Sequence, residues 1–103
     1  MACLYEAREV LQGEFPWIKT RIVEFDERNV LGRCALGKNW ISISAEMERW
    51  NDDQLRLVVW HELGHAYFNV GHDAASVIMR AKVDLNNLPS VSRMIEDLRR
   101  IKK

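Results

Sequence analysis

The segment from Leu55 to about Phe68 or Asn69 sets the tightest limit on how this chain folds. Leu55, Leu57, Val58, Val59 and Trp60 open a helix that is apolar on nearly every face, and Asn51, Asp52 and Asp53 before it supply an N-cap and first-turn acids. A helix of that kind has to be covered on all sides. In a chain of 103 residues, this places it in the middle of the one core that such a length can build. The expectation is a single domain over 1–103, with no second core and no separate pro-domain.

The remaining periodicities describe what surrounds that helix. Leu4, Ala7, Val10 and Leu11 recur at helical spacing before Gly13 and Pro16, predicting an amphipathic helix over Leu4 to Gln12. From Trp17 to Phe25, Ile18, Thr20 and Ile22 alternate with Lys19, Arg21 and Val23, the two-residue period of a strand, and Asp26 to Asn29 reads as a turn. A second strand is expected within Leu31 to Leu36. A third, Trp40-Ile41-Ser42-Ile43-Ser44, follows the turn signal Gly37-Lys38-Asn39. From about Pro89 or Ser90, Val91, Met94, Ile95, Leu98 and Ile101 form an apolar stripe opposite Arg93, Asp97, Arg100 and Lys102, predicting a C-terminal helix. Helices and strands together make this an α/β domain of the α+β kind. Only Gly71 to Asn87 lacks a periodic element, and long irregular stretches in small domains often carry function.

Composition narrows the partners. Fifteen acidic and fifteen basic residues cancel, so no overall field draws the chain to nucleic acid or to an anionic membrane, and any such partner would need a local patch. The start, Met1 to Glu6, has neither the basic nor the apolar region of a secretory signal, and no apolar run reaches membrane-spanning length; the expectation is a cytoplasmic protein. Cys3 and Cys34 lack the spacing of a metal or redox pair and are expected to be free thiols.

The chemistry is concentrated in His61 to Met79. His61 and His65 stand four apart on a helix, so both project from one face close enough to share an ion. Glu62 lies one residue round the helix, near that ion but turned from direct ligation, where a carboxylate can take a proton from metal-bound water. A catalytic zinc commonly takes three protein ligands and keeps its fourth position for water, whose pKa falls from about 16 to roughly 7. The third ligand is expected from His72, because Asn69 and Gly71 can end the helix and return the chain toward the metal. Asp73 is its rival, as a ligand or as a partner that orients a histidine.

The segment from Trp60 to Met79 resembles the zincin metallopeptidases, and within them the metzincins, whose HExxHxxGxxH motif is followed by a methionine-containing turn. Here His61-Glu62-Leu63-Gly64-His65 is followed by Ala66-Tyr67-Phe68-Asn69-Val70-Gly71-His72, one residue longer before the third histidine. With Asn69 in the place of the turn glycine, the insertion is a single residue, since Asn also adopts the left-handed region. Ser76-Val77-Ile78-Met79 looks like the metzincin Met-turn, in which Met79 would form an apolar floor under the ligands; the plainer reading is an ordinary core methionine. A second resemblance is to SprT-like minimal zincins, through Gly32-Arg33-Cys34 and Trp40 to Ser44 ahead of the metal helix.

Both resemblances imply a small zincin-like domain: a short mixed sheet with an N-terminal helix, the HExxH helix and a C-terminal helix, and an edge strand that holds extended substrate. Trp40, Ile41, Ser42, Ile43 and Ser44 are the expected substrate strand, unless Ile41 and Ile43 belong to a central core strand instead. The implied activity is zinc-dependent hydrolysis of peptide bonds in a peptide or protein substrate, with His61, His65 and His72 on Zn2+ and Glu62 as general base. Two alternatives stay open: a catalytically silent zinc-binding interaction module, and a SprT-like protease acting on DNA-bound proteins. The basic end, Arg99, Arg100, Lys102 and Lys103, suits a helix C-terminus and solvent; the SprT-like resemblance keeps nucleic acid open, and the neutral net charge argues against it.

Overall fold

The computed structural model describes residues 19–25, 30–34 and 40–101. The expected N-terminal helix over Leu4 to Gln12, Cys3 and the turn at Asp26 to Asn29 lie outside the described residues. Three strands form one mixed sheet: β1 (Lys19–Val23), β2 (Gly32–Cys34) and β3 (Trp40–Ser44). Their order is β1-β3-β2, with β1 parallel to β3 from Lys19 opposite Trp40, and β2 antiparallel to it with Gly32 opposite Ile43.

The β3 span matches expectation, but its position corrects the substrate-strand assignment. Trp40 to Ser44 is the central strand, hydrogen-bonded on both sides, and has no free edge to offer a peptide. Ile41 and Ile43 are fully buried, and Ser42 and Ser44 are buried on the opposite face. The alternation of isoleucine and serine suggests a half-solvated strand; serine is small enough to be enclosed on the second face as well. In β1 the expected apolar face is only partly realised, since Ile22 is 51% exposed.

A short 3-10 turn, Ala45–Arg49, capped by Ser44, leads into helix α1 (Asp52–Ala66). Asn51 is its N-cap, and Asn51 and Gln54 bond each other's main chain at 2.9 Å in a capping box. Leu57 to Gly64 and Ala66 are all buried, with the helix lying between β2, β3 and helix α2 (Val91–Ile101). Trp60 is wholly inside, a packing residue as its flanks suggest. On α2, Met94, Leu98 and Ile101 face the core. Asp97 does too, which corrects its placement on the polar face. No helix among the described residues is long and apolar enough to cross a membrane.

Candidate metal centre

Two backbone carbonyls determine the state of the helix histidines. His61 Nδ1 lies 2.6 Å from the carbonyl oxygen of Ile78, and His65 Nδ1 lies 2.7 Å from that of Val70. A carbonyl can only accept, so each Nδ1 carries the proton and donates it, leaving each Nε2 with a lone pair. Burial pushes His61 down to about 4, against the partial opposition of the Ile78 hydrogen bond and with help from the neighbouring His65 and His72; His65 is lowered chiefly by burial as well. Both rings are therefore neutral at pH 7. The two Nε2 atoms nevertheless face each other at 3.2 Å, where neither can donate to the other.

His72 completes the group. Its ring stands 5.4 Å from that of His61 and 4.9 Å from that of His65, and ligand atoms of all three lie within 4.8 Å of one another. Three histidines thus lie close enough to bind one metal ion. The rival, Asp73, is turned elsewhere: its Oδ1 accepts from the Ala75 N–H at 2.9 Å and its Oδ2 faces Arg100 at 3.6 Å.

The turn that delivers His72 begins with an irregular end to α1. The Leu63 carbonyl accepts from both Tyr67 and Phe68, at 2.8 and 3.4 Å, and the Val70 N–H reaches back to the Gly64 carbonyl at 3.0 Å. The helix end is widened, and Asn69 reverses the chain at φ 56°, the single positive φ of a non-glycine residue among those described. Val70, placed by this reversal, then supplies the carbonyl that orients His65.

Beneath the helix, Met79 is fully buried with its side chain against Gly64. A Cβ at Gly64 would stand 2.9 Å from Met79 Cε and closer still to the sulfur, so Gly64 makes the room that the Met79 side chain fills between His61 and His65. Asp97 holds that segment in place, a role that sequence reasoning missed. Its Oδ2 accepts from the Ser76 hydroxyl and, at 3.1 Å, from the Ile78 N–H, while its Oδ1 accepts from Arg100 at 3.0 and 3.2 Å. The Met79 N–H in turn donates to Ser76 Oγ at 2.9 Å. One peptide group, Ile78–Met79, therefore connects the imidazole of His61 to a buried carboxylate through Ser76. The signal was available: Asp97 stands three residues after Met94 and four before Ile101, within the buried arc of α2.

Glu62 is 6% exposed, with Oε1 4.0 Å from His61 Nε2. Strand β2 passes directly over it. A Cβ at Gly32 would meet Glu62 Cγ at 2.9 Å and the Ser42 carbonyl oxygen at 3.0 Å, so a glycine is required at this crossing. The three histidines and Glu62 open into a cleft of about 770 Å³, bounded on one side by Val30 to Arg33 and on the other by Ala81 to Asn86. Among the described residues β2, rather than β3, is the strand at the cleft edge of the sheet.

No protein-family model, curated protein or solved structure matches this chain. The family resemblance accordingly rests on the residues of the site alone.

Proposed function

We propose that this chain is a zinc-dependent metallopeptidase in which His61, His65 and His72 hold the ion and Glu62 is the general base. The observation that carries this reading is the pair of unprotonated Nε2 atoms facing each other at 3.2 Å. Two lone pairs at that distance repel unless a cation shares them. Two imidazole nitrogens on one tetrahedral zinc, each at about 2.0–2.1 Å, stand about 3.3 Å apart. Three histidines with a further position open to a cleft is the donor set of a catalytic rather than a structural zinc.

Zinc, when bound, supplies a Lewis acid for the scissile carbonyl and a water acidic enough to ionise near neutral pH. The chain's own residues do the rest. Glu62 takes the proton from the attacking water and returns it to the leaving amine, held in a place that β2 and α1 shield from bulk solvent. The edge of β2 offers main-chain donors and acceptors to an extended peptide, so binding depends little on side chains along that edge.

The test pairs metal content with hydrolysis. Wild type and Glu62→Gln are both expected to hold about one zinc per chain, since Glu62 is not a ligand in this scheme. On a broad peptide library the amide variant is expected to be at least roughly a hundredfold slower, because it cannot accept the proton. Equal rates would remove Glu62 from the mechanism. Absence of cleavage in both, with a protein partner bound equally, would favour the silent interaction module; salt-sensitive DNA affinity would favour the SprT-like alternative.

A further inference from the structure

A second cavity, of about 240 Å³, lies beside the metal cleft, and Lys82, Val83 and Asp84 line both. Its wall is more polar than apolar: the buried Leu57 and Ile78 and the half-buried Leu88 contribute to it, and so do the exposed Arg80, Lys82 and Arg93. None of these three cations has an acidic partner within ion-pair distance among the described residues. Asp84 is the only carboxylate in the lining, so three positive charges face one negative.

A small hollow with an excess of cations and a few apolar side chains in its wall suits an anionic head carried on a short stem. At 240 Å³ the cavity falls below the roughly 300–1,000 Å³ of pockets that take whole small molecules, and fits a single side chain. Its position ties it to the reaction. Ile78 is both part of the pocket wall and the residue whose carbonyl accepts from His61, and segment 82–84 lines both cavities, so the pocket adjoins the cleft that holds the histidines.

Resting on the hydrolase reading, we infer that this pocket is a specificity subsite for a carboxylate next to the cleaved bond, borne either on a glutamate side chain or at the chain's own C-terminus. Arg80 and Arg93 are its specificity-determining residues; neither belongs to the hydrolytic machinery.

The experiment scans each position flanking the cleaved bond with zinc-loaded wild type, using paired peptides that differ only as Glu against Gln, with free and with amidated C-termini. A Glu side chain preferred over Gln by roughly tenfold at one position, the margin of a charge-assisted over a neutral hydrogen bond, supports the side-chain arm; the same margin for free over amidated termini supports the terminal arm. Arg80→Ser combined with Arg93→Ser is expected to abolish the preference while changing cleavage of the Gln, amidated peptide less than about twofold. Cleavage with neither preference overturns the subsite and leaves hydrolysis standing. No cleavage of any peptide overturns the hydrolase reading, and the pocket is then decided by binding of the same peptides to the Glu62→Gln protein. Tighter binding of the acidic member, lost in the double serine variant, supports it; equal binding overturns it.

Discussion

Asp97→Ala is expected to damage both the fold and the metal site, although Asp97 touches no ligand. Its carboxylate is 8% exposed and accepts from two buried donors, the Ser76 hydroxyl and the Ile78 N–H. Each buried donor left without an acceptor costs about 1–3 kcal/mol, so the loss is about 2–6 kcal/mol out of a usual total of about 5–15. The half-exposed Arg100 adds little, because solvent screens its ion pair. Asp97→Asn separates these contributions, because an amide oxygen in the place of Oδ2 keeps both buried bonds while the charge and the two Arg100 bonds to Oδ1 are given up; its cost is expected to be much smaller than that of alanine. Urea unfolding of the metal-free proteins measures the stabilities, and chelator competition measures zinc affinity. With Ile78 displaced, His61 loses its orienting carbonyl, and affinity in the alanine variant is expected to fall roughly 10–100-fold. An alanine variant within about 0.5 kcal/mol of wild type, or an asparagine variant as damaged as alanine, would refute this account of the segment.

Two further outcomes follow from the histidines. Burial lowers His61 from 6.5 to about 4, so between those pH values the unfolded chain binds a proton that the folded one does not; metal-free stability is expected to fall as pH drops below about 6.5, by about 3 kcal/mol once pH 4 is passed. Unfolding free energies measured across that range should show a shallower decline in His61→Asn, and identical profiles would count against burial as the cause. His72→Ala is expected to weaken zinc binding far more than Asp73→Ala, as read by the same chelator competition; the reverse order would move the third ligand to Asp73.

What could be read from the sequence was local. The span of β3, the Asn51 cap, the existence of α2 and the left-handed Asn69 each depend on residues a few positions apart, and each is present. Which strand sits in the middle of the sheet depends on pairing between segments as far apart as Lys19 and Trp40, so Trp40 to Ser44 could be given its conformation but not its neighbours. Asp97 shows a different limit. An acid in a helix is assigned to solvent by polarity, and only its partners, the Ser76 hydroxyl and the Ile78 N–H in an irregular loop, explain why it is inside. The site itself was legible as a set of side chains, whereas the carbonyls of Val70 and Ile78 that fix the tautomers belong to the backbone and have no letter in the sequence.

The widened end of α1 also bears on how such sites vary. An insertion within the helix would rotate every later side chain by about 100° and separate His65 from His61, and one within the Ser76–Met79 segment would break its fit against Gly64. At Tyr67 to Val70 a change of length would fall beyond both helix histidines, where the Leu63 carbonyl accepts two amides and Asn69 takes up the reversal. Among the described residues, the spacing between His65 and His72 is therefore the interval in which a change of length would leave the placement of His61 and His65 on the helix unaltered.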